Sequence, residues 1–232
     1  MELFSFEFFS ALLTIVFIDL ILAGDNAIVI GLAARKLPKD QQTKAVIWGT
    51  VGAVVIRAVA TLLVVYLLDI PWLMLAGGIL LLWIAYKLLV DQNDHDIKAG
   101  NTLWQSVWTI IIADAAMGVD NVIAVAGAAH GHVLLVIIGL LISIPIVVWG
   151  STLFLKIINR LPWIVYVGSG VLAYTAAKMI THEERLEGIF ASNPLFKWSF
   201  MIVVVITIIL AGLWKNNTRS KQGATEKSRE SH

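Results

Sequence analysis

Two pairs of aspartates, each closed by an asparagine, stand inside stretches that are otherwise almost entirely apolar. The first reads Asp19-Leu-Ile-Leu-Ala-Gly-Asp25-Asn26 and the second Asp114-Ala-Ala-Met-Gly-Val-Asp120-Asn121. Both follow the pattern D-x5-D-N, the second 95 residues after the first. A charged side chain in hydrocarbon costs at least ~2.5 kcal/mol on insertion scales. Four such acids need compensation, and a bound cation supplies it. Carboxylates, asparagine oxygens and backbone carbonyls freed by a helix break form an all-oxygen shell. Such a shell suits Mg, Ca or Mn and does not select zinc or copper. Asp19, Asp25, Asn26, Asp114, Asp120 and Asn121 are therefore the candidate metal ligands. The competing reading makes the acids structural, paired with arginine or backbone; two matching sets weigh against it.

Asp19 and Asn26 are seven residues apart and share one face of a regular helix, whereas Asp25 points elsewhere. Ala23 and Gly24 permit a local break that would redirect Asp25. In the second copy Val119 replaces Gly24, so a break there is expected at Gly118. Irregular backbone at membrane depth is tolerated only where it lines a cavity or binds something. Met117 lies inside the second motif and has no counterpart in the first. Arg57 sits near the middle of the second apolar run, too deep to snorkel, and is assigned as counter-ion to the acids. Four ionised aspartates and one arginine leave −3, and a divalent cation leaves −1. One acid then carries a proton, so metal/proton antiport is the expected coupling.

The elements that must hold these residues are membrane helices. The chain has 232 residues, 59% hydrophobic and 14% charged, with mean hydropathy +0.85. Soluble domains carry about 25% charge. A net charge of +1 argues against a nucleic-acid partner, and the absence of cysteine excludes disulfides and thiolate metal sites. Met1-Glu2 lacks the basic start of a cleaved signal peptide. Apolar runs predict seven spans: 6–34, 45–68, 71–90, 103–129, 133–158, 162–180 and 195–214. The segment 215–232 reads as a polar, disordered cytoplasmic tail. Of the chain's 17 lysines and arginines, all but Arg57, Lys178, Arg185 and Lys197 fall on one side of this arrangement. The positive-inside rule then places the N-terminus outside and the C-terminus in the cytoplasm of a multi-pass cell-membrane protein.

The repetition extends beyond the acids. Pro71-Trp72 recurs as Pro162-Trp163, Gly77 as Gly168 and Lys87 as Lys178, each 91 residues on. Residues 6–90 and 103–180 thus form two repeats of three spans, with 195–214 added, all within one transmembrane domain over 1–214. An odd number of spans per repeat inverts the second copy and puts a binding site where the two meet, near the midplane. The predicted class is an all-α polytopic membrane protein.

Elsewhere simpler roles are expected. Lys87 and Lys178 lie near span ends and are expected to snorkel, a gate being the alternative. His130 and His132 are read as a solvated turn rather than a weak outer metal site, and Asp91, Asp94, His95 and Asp96 as a solvated loop. Glu183, Glu184 and Glu187 read as a polar linker, and Trp72, Trp163, Trp198 and Trp214 as interface anchors. Gly49, Gly52 and Ala53 suit close helix packing.

The segments FIDLILAGDNAIVIGLAARKLP and DAAMGVDNVIAVAGAA resemble the two signature segments of the TerC family, more narrowly its YjbE-like members. The resemblance covers nearly the whole chain to about Trp214. It implies an inner-membrane protein of the wider LysE-type transporter group, associated with divalent metal efflux, chiefly manganese. It carries the family's acidic motif onto Asp19, Asp25, Asn26, Asp114, Asp120 and Asn121. No prosthetic group and no catalytic residue is expected; manganese would be cargo. The expected partners are the lipid bilayer, the metal ion, and other membrane proteins or further copies of the chain. Two alternatives stand beside the exporter: a membrane subunit supplying metal to membrane or secreted proteins, and an intramembrane aspartyl enzyme.

Overall fold

The computed structural model describes residues 5–68, 70–90, 102–129 and 132–230, and among them there is no strand. Nine α-helices are described: α1 (Phe6–Ala34), α2 (Lys39–Leu62), α3 (Val64–Leu68), α4 (Leu73–Val90), α5 (Leu103–Ala129), α6 (Val133–Arg160), α7 (Ile164–Thr181), α8 (Glu187–Phe190) and α9 (Pro194–Glu230). A 3-10 turn, Glu184–Leu186, precedes α8. Among the described residues, five helices are long and apolar enough to cross a membrane: α2, α4, α6, α7 and the Pro194–Thr218 part of α9. A sixth is added if the two halves of α1, Phe6–Leu20 and Gly24–Ala34, count as one span; they meet at 45°. The bend falls between Leu20 and Gly24, whereas α5 is helical through Gly118.

Local chemistry sets the helix ends. Ser5 caps α1, its Oγ accepting from the Phe8 N–H at 3.1 Å. Gln42 closes the following turn by donating to the carbonyls of Arg35 and Leu37, both at 3.0 Å. The second apolar run, expected as one span, is broken at Leu63, whose N–H is shared between the carbonyls of Val59 and Ala60. Two residues earlier the Thr61 hydroxyl bonds back to the Arg57 carbonyl at 2.8 Å, a contact that competes with the helix ladder.

The start of α4 corrects one expectation. Glu183 is not solvated linker; it is buried, and its two oxygens accept from the N–H groups of Trp72 (3.2 Å) and Leu75 (3.3 Å). A carboxylate there meets both the unpaired N–H groups and the positive end of the helix dipole. It holds Trp72 at φ 65°, a left-handed conformation rare for a bulky residue. The Arg185 guanidinium lies 5.5 Å from the centre of the Trp72 ring.

The last helix continues beyond Trp214, where the apolar run ends. Asn216 is buried and donates to the Leu89 carbonyl (3.3 Å) and the Tyr166 hydroxyl (3.2 Å), so polar contacts dock this turn onto α4 and α7.

The pairing of helices follows one scheme. The most extensive contacts join α1 to α6, α2 to α5 and α4 to α7, with α9 laid over α7 and α4. Two of these pairs share a detail. Ile15 of α1 sits over Gly139 of α6, and Ile110 of α5 over Gly49 of α2; both isoleucines are fully buried. A Cβ on Gly139 would come 2.5 Å from Ile15 Cγ2, and one on Gly49 would come 2.7 Å from Ile110 Cδ1. Gly52 likewise leaves room for Ile111. Only helices without a side chain at these points approach so closely.

This contact is testable. Gly139→Ala is expected to lower the melting temperature in detergent through overpacking worth about 1–3 kcal/mol. Ile15→Ala removes the opposing methyl, so the double variant should lose less than the two single losses added, by about 0.5–3 kcal/mol. Strict additivity would contradict the contact.

Candidate functional site

The isoleucine contacts fix the height of the acids. Asp19 follows Ile15 by four residues and Asp114 follows Ile110 by four, about one helical turn or 6 Å further along the same face. With α1 seated on α6 and α5 seated on α2, both carboxylates are carried into the bundle interior. Asp19 is 1% exposed and Asp114 7%. Arg57, on α2 eight residues beyond Gly49, completes the arrangement and is 4% exposed. That spacing spans about 12 Å of helix, more than the 6 Å from Ile110 to Asp114, and a long side chain leaning toward its helix N-terminus closes the gap.

The guanidinium uses one terminal nitrogen for each acid. Nη1 donates to Asp19 Oδ1 at 2.5 Å, and Nη2 donates to Asp114 Oδ1. Both are ion pairs as well as hydrogen bonds. One arginine therefore joins the two D-x5-D-N motifs through the first aspartate of each. Two buried acids and one buried base give this cluster a formal charge of −1.

Several buried polar atoms near the motifs in sequence, or on the helices that face them, have no hydrogen-bond partner. These are Asp114 Oδ2, Asn26 Oδ1, the Thr50 hydroxyl on α2, the Ser169 hydroxyl on α7 and Arg57 Nε. Buried polar groups are rarely left unpaired, because each costs about 1–3 kcal/mol. Four of the five are oxygens, the atoms a hard cation takes.

The remaining predicted ligands are placed as follows. Asn26 and Asn121 are buried, on α1 and α5. Asp25 is half-buried and its Oδ2 accepts from the Thr175 hydroxyl of α7 at 3.1 Å. The side chain of Asp120 lies outside the described residues, as do His130, Asp91, Asp94, His95 and Asp96. Among the described residues no three of His, Asp or Glu gather as a ready metal cluster. Asp19 and Asp114 are thus brought together with Arg57 between them, and Asp25 is held separately by α7. Thr175, Thr50 and Ser169 were not singled out in the sequence. The signal that would have found them is a small hydroxyl residue on the inward stripe of an otherwise apolar helix.

Known proteins supply an independent comparison. The sequence model described as "Integral membrane protein TerC family" matches residues 4–220. The uncharacterized membrane protein YjbE of Bacillus subtilis is 45% identical over 209 residues, 90% of this chain and 96% of that protein. YceF of the same organism, also an uncharacterized membrane protein, is 24% identical over 92% of this chain and 86% of its own length. The UPF0053 protein YegH of Escherichia coli is 27% identical over 67% of this chain but only 33% of its own length. No solved structure matches. Paired motifs in an all-helical bundle and a family match over almost the entire chain agree: this protein is a member of the TerC family of integral membrane proteins.

Proposed function

We propose that this protein exports divalent metal ions across the cell membrane, with manganese as cargo and protons moving the other way. The observation that carries the reading is the Arg57 bridge between Asp19 and Asp114. A guanidinium in that position is a tethered cation occupying one oxygen of each acid. Metal binding replaces it. The cargo takes the carboxylates of Asp19 and Asp114 together with Asp25, Asp120 and the amide oxygens of Asn26 and Asn121. Return of Arg57 to the acids expels the metal. Asp25, beside the bend in α1, and Asp120, its counterpart on the unbroken α5, exchange protons.

The proposed frame is seven spans in two inverted triplets plus α9, with the N-terminus outside. The exchange of partners between the triplets supports it: α1 pairs with α6 as α5 pairs with α2, and α4 pairs with α7. Ile15 over Gly139 and Ile110 over Gly49 give the same swap at the level of single residues. Gly77 faces Ala116 of α5, and its repeat mate Gly168 faces Ile28 of α1. The aspartyl-enzyme alternative is disfavoured by the same arginine, since a catalytic dyad shares a proton and a water and here a permanent cation stands between the acids.

Two outcomes are expected. Cells lacking the protein should accumulate manganese, wild type should restore the normal content and Asp25→Ala should not. Equal manganese in all three strains would sink the exporter. In purified protein, Arg57→Gln leaves two buried carboxylates without their cation and should destabilise by about 3–5 kcal/mol. Added Mn2+ should then raise the melting temperature of Arg57→Gln more than that of wild type, because metal replaces the lost charge. Equal Mn2+ shifts in the two proteins would rule out competition between arginine and metal.

A further inference from the structure

A second polar site lies away from the acids, at one edge of the bundle. The end of α1, the last turn of α4 and the first turns of α5 enclose a cavity of about 200 Å³. Arg35, Lys36 and Lys87 line it. Arg35 is oriented by donating to the Leu88 carbonyl at 2.8 Å, and the Lys87 ammonium lies 4.9 Å from the Trp83 ring centre. All three cations stand at helix C-termini, where the dipole favours positive charge.

The lining changes character with depth on each helix. On α1 the basic pair Arg35 and Lys36 gives way one turn in to Leu32. On α4 Lys87 gives way to Trp83, and on α5 Ser106 gives way to Trp108 and Ile112. Trp83, Trp108 and Ile112 are 56%, 58% and 41% exposed, so this apolar end opens on the outside of the bundle. A cavity with cations at the helix ends and an aromatic, outward-open wall toward the helix middles matches an amphipathic anion. A soluble anion would gain nothing from the apolar wall.

We infer that this cavity is a binding site for an anionic phospholipid, its phosphate held by Arg35, Lys36 and Lys87 and an acyl chain laid along Trp83, Trp108 and Ile112. Basic pockets between helices at a membrane interface recognise such headgroups, and tryptophan at the same level anchors the protein in that interface. In the proposed orientation this is the cytoplasmic leaflet, but the site does not depend on metal transport.

The test is native mass spectrometry of detergent-purified full-length protein given equal phosphatidylglycerol and phosphatidylcholine. Wild type should retain phosphatidylglycerol preferentially. Lys36→Gln/Lys87→Gln should lose that adduct by about ten-fold or more, at the ~1 kcal/mol per basic residue typical of such sites. Lys36→Arg/Lys87→Arg should keep it, as should Lys178→Gln, which changes the matched lysine of the other repeat. Equal retention of both lipids by wild type, or an undiminished adduct in the double Gln variant, would overturn the assignment. So would displacement of the lipid by millimolar inorganic phosphate, which would make the site one for a soluble anion. Should the double variant not fold, wild-type tryptophan fluorescence decides. Quenching by brominated phosphatidylglycerol should exceed that by brominated phosphatidylcholine, and Trp83→Phe/Trp108→Phe should abolish the difference. Equal quenching by the two lipids overturns the proposal.

Discussion

The guanidinium of Arg57 holds one carboxylate from α1 and one from α5, and the rest of the bundle is arranged around that bridge. All three groups are buried, so none can exchange its partner for water. Removing either sign would leave an uncompensated charge, a loss of about 3–5 kcal/mol and a large part of a domain's net stability. The bridge is also incomplete by charge. Counted formally, two acids against one base leave one negative unit over, with an oxygen of Asp114 unpaired. A cluster in that condition has a standing affinity for cations, and the proposed transport role rests on that affinity.

Packing delivers the three groups to one place. Ile15 and Ile110 each lie in the gap left by a glycine on the partner helix, and each stands one turn before its aspartate. Contacts without a side chain on one face set the axial position of a helix tightly, since a shift drives the isoleucine into backbone or into the next residue. The arrangement is not symmetric in charge. Taking Gly49 to Gly139 as the register of the proposed repeat, Arg57 of α2 corresponds to Val147 of α6, which is buried and apolar. A single arginine therefore serves both halves. The bend in α1 beside Asp25, with α5 helical through its own motif, is a second difference between them.

Much of this was legible in the residues. Charge inside apolar runs marked the acids and Arg57, and their types alone required that they meet. The limits of α1 and α5 follow from Ser5, the Arg35-Lys36 turn and the polar residue types flanking 103–129 in the sequence. Three things were not legible. Glu183 looked like one of three glutamates in a linker, because only the fold brings it to the N-terminus of α4, 111 residues from Trp72. Asn216 sat in a stretch too polar to read as packed, yet its amide finds a carbonyl and a phenol. Thr175 carries no signal of its own; its meaning depends on facing Asp25 across 150 residues of chain. Hydropathy reports what a segment tolerates, whereas these three residues are defined by a partner that arrives through tertiary structure.

The central claim is that the paired acids bind and pass a divalent cation without help from another protein. The most direct test is Mn2+ flux into sealed liposomes that contain only the purified protein, with an opposing pH gradient imposed. The account predicts flux that depends on the gradient with wild type and none with Asp114→Asn, which keeps the shape of the bridge but removes half of its negative charge. No flux from wild type, or undiminished flux through Asp114→Asn, would contradict it.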